Sequence, residues 1–211
     1  AGRRSRGTRR WPPPDGTVAE VVTGTGPQAE VEGDDERVEV VDRSGRVLDV
    51  VGRSRMRAER LRHRCTFVVV RNSRGEVLVH RRSPDKDMWP NRWDLAVGGV
   101  VQAGESWDDA AARELAEEVG AVGVELVALS GDLTYDDADV SELARIWTVS
   151  WDGPVTFDDG EVVAAEWVPR GELGRLLGRR SFVADSVALV WPLIDSTRST
   201  GPDRQDLIDR T

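Results

Sequence analysis

An α/β or α+β sandwich, a mixed β-sheet held between helices and preceded by an N-terminal β-hairpin, follows from three features of the sequence. Short β-prone runs alternate along residues 37–168. One amphipathic, acidic helix is embedded among them. Helical patterns return only after Pro169. Strands on both sides of a single helix, with helices at the end, call for a sheet covered on its faces.

The elements read in order. Residues 37–41 and 46–51 are two β runs around Arg43-Ser44-Gly45, the pattern of a hairpin. Residues 54–62 read as a short arginine-rich helix with Met56 and Leu61 as its apolar positions. Residues 66–70 and 77–82 are strands joined by a turn at 72–75, and the first is apolar throughout, as a central strand would be. Residues 93–97 form a short strand leading into a glycine loop. Residues 124–129 are a further strand, continuing towards Tyr135 after a break at Gly131. Strands at 143–151 and 162–168 follow, then helices at 171–177 and 185–194. No internal repeat is present.

The embedded helix is predicted at 107–119. Ser106 is a good N-cap with Asp109 three residues on, Trp107-Asp108-Asp109 suit the positive end of the dipole, and Gly120 suits a left-handed stop. Glu114, Glu117 and Glu118 stand at i, i+3 and i+4 and share one side. Ala111, Leu115 and Val119 form an adjacent apolar stripe. Three clustered carboxylates repel one another, and a solvated helix face is the ordinary explanation of such a run. A hard cation is the alternative, because Mg²⁺ takes oxygen ligands and is held by one or two carboxylates together with substrate phosphates. Here Gly99, Glu105, Arg113, Glu114, Glu117, Glu118 and Gly120 all fall in one register, which makes the accidental explanation a poor one.

Composition narrows the function. The 211 residues suit one domain, expected over 36–195 between loose segments at 1–35 and 196–211. With 38 acidic and 29 basic residues the net charge is −9, which argues against a nucleic-acid partner. Cys65 is the one cysteine, so an intramolecular disulfide is excluded and a reducing cytoplasm is the expected compartment; at the start of an apolar strand it reads as a small core hydrophobe. No apolar run reaches transmembrane length. The first sixteen residues hold five arginines before Pro12-Pro13-Pro14 and lack the apolar region of a secretory signal. They read as a tail rather than as a transit peptide or a phosphate-binding arm.

At the acidic helix the chain resembles the Nudix hydrolase family, whose signature is G-x5-E-x7-R-E-U-x-E-E-x-G-U, with U a bulky aliphatic. Every position is matched except the last U, which is Ala121. The resemblance implies Mg²⁺-dependent (or Mn²⁺-dependent) hydrolysis of a small-molecule diphosphate, and a possible homodimer, as in many relatives. It implies Glu117 and Glu118 as principal metal ligands, Glu114 as ligand or water activator, and the Gly98 carbonyl as a further ligand. Arg113 and Glu105 would hold loop and helix in place. For the proton acceptor Glu114, Glu161 and Glu142 stay open, Glu161 opening the last strand after the Asp158-Asp159-Gly160 turn.

Residues 80–100, HRRSPDKDMWPNRWDLAVGGV, resemble more closely the branch that contains isopentenyl-diphosphate isomerase, through Arg81, Arg82, Lys86, Trp89, Pro90 and Trp93. In the isomerases the next strand ends in Cys-Gly-His; here Gly98, Gly99 and Val100 stand in those places. His63 matches an isomerase metal ligand and Glu142 approximately a catalytic acid, but without the cysteine His63 reads as a hydrogen-bonded structural residue. The expectation is an isomerase-like scaffold running hydrolase chemistry. Isopentenyl-diphosphate isomerase and a non-catalytic nucleotide-binding module are the alternatives. Arg81, Arg82 and Lys86 are candidate phosphate ligands or partners of surface acids. Trp89 and Trp93 either stack on a base or pack in the core.

Overall fold

The structure is a computed structural model that describes residues 35–157 and 160–195. The predicted tails at 1–34 and 196–211, and Asp158 and Asp159 of the turn before Glu161, lie outside the described residues.

Among the described residues a mixed sheet of nine strands carries the fold. The hairpin is β1 (Arg37–Val41) with β2 (Val47–Gly52), followed by α1 (Arg53–Ala58). Strand β3 (His63–Arg71) is the spine. It runs parallel to β8 (Ser141–Ser150) along its whole length, from His63 opposite Glu142 to Arg71 opposite Ser150. Strand β4 (Glu76–Arg82) turns back from β3 and pairs antiparallel with β9 (Val162–Pro169) and with the two-residue β5 (Trp93–Asp94). Between them come α2 (Trp107–Val119), β6 (Val127–Ala128) and β7 (Leu133–Asp136), the last two pairing with β8. A 3₁₀ turn at Arg170–Glu172 leads to α3 (Leu173–Leu177), α4 (Ala184–Leu189) and α5 (Trp191–Ile194).

The apolar run of β3 is buried on both faces, as expected of a strand paired in parallel beneath helices. Its side chains alternate. Val68 and Val70 pack with Ala111, Leu115 and Val119 of α2. Phe67 and Val69 pack in the opposite core with Met56 of α1, Leu173 of α3, Leu189 of α4 and Ile194 of α5. The sheet is thus sandwiched between α2 and the remaining helices.

Three predicted elements are shorter than read and a fourth is divided, each for a local reason. The helix at 54–62 ends at Ala58, and Arg60 has a φ of +51°, outside helical geometry. The strand at 93–97 keeps only Trp93–Asp94, because the Asp94 carboxylate accepts from the Leu95 amide at 2.8 Å and faces the Ala96 amide at 3.4 Å. The strand at 124–129 is reduced to Val127–Ala128, its residues Val124 and Leu126 packing against the α2 core instead of pairing. The last helix is divided at Val190, two residues before Pro192, whose ring disfavours a continuous helix.

Candidate active site

The helix α2 begins and ends as its sequence dictates. The Ser106 hydroxyl accepts from the Asp109 amide at 3.1 Å and donates to the Asp109 carboxylate at 2.7 Å. Gly120 closes it at a φ of +77°. Its apolar stripe fixes the rotation of the helix on the sheet, and that rotation turns the glutamates towards a cavity of about 350 Å³.

The cavity lies at the end of the sheet where β3 and β8 begin and β4 finishes. Glu114, Glu117 and Glu118 of α2 line one wall, with Gly98 and Gly99 beside them. Arg82 at the end of β4, Lys86 and Trp89 in the following loop, and Glu161 at the start of β9 line the other. Arg53 and Arg57 of α1 also enter, as do Cys65, Asp94, Glu142 and Asp185.

Arg113 organises the acidic wall. It holds Glu105 with two bonds, Nε to Oε1 at 2.9 Å and Nη2 to Oε2 at 3.0 Å. Its Nη1 reaches Glu114 at 2.7 Å and Glu117 at 3.2 Å, and Nη2 donates to the Val100 carbonyl at 3.2 Å. Glu105 also accepts from the Gln102 amide at 3.0 Å. One guanidinium therefore ties the glycine loop to the helix and spaces two of the three carboxylates. The Glu105 hydrogen bond, reinforced by Glu114, keeps the Arg113 proton far above its ordinary range. Burial works to raise the Glu105 carboxyl, but Arg113 outweighs it and holds the group below its usual value.

The three carboxylates are not equivalent. Glu118 is 3 % exposed, and its carboxylate faces the Gly98 amide at a long 3.4 Å. The Glu117 side chain is 54 % exposed. Glu114 lies between, paired with Arg113. Burial pushes Glu118 well above the usual carboxylate range and the charge of Glu114 adds to the shift. Burial also raises Glu114, against the pull of Arg113. Ionised carboxylates are costly to bury unless paired, and at Glu118 the charges of Lys86 and Arg82 oppose the effect of burial without overcoming it. An all-oxygen donor set with one such buried acid fits a hard divalent ion.

The glycines before the helix are required by contact. A Cβ on Gly98 would collide with the Thr66 carbonyl, and one on Gly99 would stand 2.5 Å from Glu114 Oε1. Glu114 thus occupies space that only a glycine leaves open.

On the opposite wall Lys86 and Glu161 form an ion pair, and Arg82 donates from Nε to the Met88 carbonyl at 3.2 Å. Arg82, Lys86, Glu161, Gly98 and the α2 glutamates are therefore brought together. Arg81 is not, because it does not line the cavity. Trp93 packs against the core and carries the Arg180 guanidinium 4.1 Å from its ring centroid, whereas Trp89 faces the cavity. Sequence reasoning missed Arg53 and Arg57, whose i, i+4 spacing on one helix face was the available signal.

The floor of the cavity holds a second polar group. His63 (1 % exposed), Cys65 (7 %) and Glu142 (1 %) are buried side by side, their ligating atoms within 4.8 Å of one another. Burial lowers the His63 imidazole to about 4 and raises the Glu142 carboxyl to about 7. No helix among the described residues is long and apolar enough to cross a membrane.

Comparison with known proteins agrees with this geometry. Residues 61–189 match the family model described as the NUDIX domain. An uncharacterized Nudix hydrolase of Streptomyces coelicolor is 38 % identical over 169 residues, covering 80 % of this chain and 93 % of that protein. The uncharacterized Nudix hydrolase YfcD of Escherichia coli K12 is 35 % identical over 138 residues, covering 65 % of this chain and 76 % of that protein. Among solved structures, DR0079 from Deinococcus radiodurans superposes with a TM-score of 0.64 at 27 % identity, covering 75 % of this chain and 99 % of that one. With its helix-borne carboxylates, its arginine brace and these relatives, the chain belongs to the Nudix family of hydrolases.

Proposed function

We propose that the chain is a divalent-metal-dependent hydrolase of a small-molecule diphosphate, of the nucleoside diphosphate-X type or similar. The observation that carries this reading is the cavity itself, which sets the Glu114, Glu117 and Glu118 carboxylates against Arg82, Lys86, Arg53 and Arg57. A diphosphate calls for both walls: cationic donors for its oxygens, and acids that would hold a divalent ion beside it.

Glu118, Glu117, Glu114 and the Gly98 carbonyl would hold Mg²⁺ or Mn²⁺. When bound, such an ion polarises the phosphoryl group and lowers the pKa of coordinated water. The protein supplies the rest. Arg113 keeps Glu114 and Glu117 apart and fixes their rotamers, with Glu105 anchoring Arg113 in turn. Arg82 and the α1 arginines grip phosphate oxygens with forked donors that a point charge cannot match. Glu161 takes the proton from the attacking water. Lys86 holds Glu161 at the cavity wall, and the Glu161 side chain is 43 % exposed, within reach of solvent. The water adds to phosphorus in line, the diphosphate bridge breaks, and two phosphorylated fragments leave.

Isomerase chemistry finds less support. Proton transfer at both ends of a double bond needs a second acid–base group, and the loop supplies Gly98 and Val100 where the isomerases carry cysteine and histidine.

A panel of diphosphates, with isopentenyl diphosphate among them, tests the proposal when assayed with Mg²⁺ and Mn²⁺ for phosphate release with and without added phosphatase. Cleavage that needs metal and is lost in Glu117→Gln/Glu118→Gln supports it. Full metal-dependent hydrolysis by that double variant refutes it.

A further inference from the structure

We propose that His63, Cys65 and Glu142 form a second cation site, separate from the α2 carboxylates, that takes a zinc-class divalent ion on the floor of the same cavity. The three residues are placed together by the sheet. His63 and Cys65 are two apart on β3 and project to the same face. Glu142, the second residue of β8, stands directly opposite His63 in the parallel register, which brings it to that face as well.

The hydrogen bonding leaves lone pairs of this trio without protein partners. His63 Nδ1 lies 2.9 Å from the Leu61 carbonyl. A carbonyl only accepts, so Nδ1 carries the proton and Nε2 presents its lone pair. A backbone carbonyl fixing the tautomer in this way is the usual support of a metal-bound histidine. Nε2 has no hydrogen-bond partner although it is buried, and neither has the Oε1 atom of Glu142, whose carboxylate is hydrogen-bonded by the Cys65 thiol. Buried polar atoms without partners are uncommon. Two of them here belong to residues whose ligand atoms lie within 4.8 Å of the Cys65 sulfur.

Geometry and ligand chemistry select the ion. Donor atoms around a tetrahedral zinc, with bonds of roughly 2.0–2.3 Å, stand about 3.5 Å apart. The present separations, all within 4.8 Å, close to that by small side-chain rotations. One imidazole, one thiolate and one carboxylate suit zinc, cobalt or ferrous ions, whereas Mg²⁺ takes oxygen alone. Cys65 and Glu142 line the cavity, so a fourth position faces it, the open arrangement of a site that accepts water or a substrate atom. Asp94 and Asp185 add negative potential at Glu142, and Arg57 opposes it. On binding, the ion displaces the thiol proton of Cys65 and any proton on Glu142 to solvent, with no change of oxidation state.

Cys65 is the one cysteine of the chain, which gives the test an unambiguous reporter. Chelator-treated full-length protein is titrated with Co²⁺ and followed by absorption. The expected result is one equivalent bound, with a thiolate-to-cobalt charge-transfer band and the visible bands of a tetrahedral ion, both abolished by added Zn²⁺ and unaffected by excess Mg²⁺. The band is expected to persist in Glu117→Gln/Glu118→Gln, to vanish in Cys65→Ser, and to shift or weaken in Glu142→Gln. Absence of a thiolate band in the wild-type protein overturns the proposal, and that reading needs no variant to fold. A band that survives in Cys65→Ser, or is lost in the α2 double variant, overturns it equally. Failure here leaves the hydrolase reading intact, because the α2 variants test that separately.

Discussion

The two walls of the cavity are built in opposite ways. The acidic wall is continuous in sequence: Gly98 to Glu118 supplies the loop, the brace and three carboxylates, and Arg113 alone contacts Glu105, Glu114 and Glu117. The basic wall is assembled from α1, the end of β4, the loop after it and the start of β9. Its members are held by unrelated partners, Lys86 by Glu161, Arg82 by a carbonyl, and Arg57 by Asp87 at 3.7 Å. A wall made by one helix keeps its geometry as a unit. A wall made by topology can change one residue at a time. On the proposed reading the metal-holding carboxylates are thereby fixed on one side, and the phosphate-gripping cations, with Glu161 beside them, are left adjustable on the other.

Damage to the acidic wall is expected to reduce kcat, whereas loss of a phosphate-gripping cation on the basic wall is expected to act first on KM. The largest effect is expected for Glu117→Gln/Glu118→Gln, a fall in kcat on the order of 10³-fold, measured on the best substrate of the panel. Its melting temperature is expected to stay equal or rise, since a buried carboxylate is neutralised. Arg113→Ala should cost both properties at once, about 2 kcal/mol in denaturant unfolding and roughly tenfold in kcat. Gly98→Ala drives a methyl group into the Thr66 carbonyl and should destabilise the fold by about 1–3 kcal/mol. Arg82→Met is expected to raise KM by roughly tenfold, the loss of about one charged hydrogen bond, with a smaller change in kcat. An equal fall in kcat and kcat/KM for Arg82→Met would erase the proposed division between the walls. The smallest effect is set by the exposed Arg175–Glu172 pair at 2.7 Å: Arg175→Ala should change stability by less than about 0.5 kcal/mol and leave activity alone.

The same contrast governs what the sequence reveals. The helix over 107–119, its cap at Ser106 and its stop at Gly120 coincide with the structure, because capping, dipole and apolar spacing are all local. The β1–β2 hairpin is legible for the same reason. The strands at 93–97 and 124–129 were not, since one is ended by a side chain bonding its own backbone and the other by packing against α2. At the site, the box residues are readable from spacing alone. Arg53 and Arg57 look like any arginine-rich helix until the fold turns them into the cavity. Cys65 reads as a core hydrophobe because its strand is apolar; only the register of β3 with β8 shows that Glu142 and His63 stand beside it.

The central claim is that water attacks a phosphorus of a diphosphate bound between these walls, under the control of the α2 carboxylates. Running the reaction in heavy-oxygen water tests it most directly. The account predicts one heavy oxygen in a phosphoryl group of one product, at a rate that collapses in Glu117→Gln/Glu118→Gln. A product whose phosphoryl groups carry no label, or labelling that proceeds undiminished in the double variant, would contradict it.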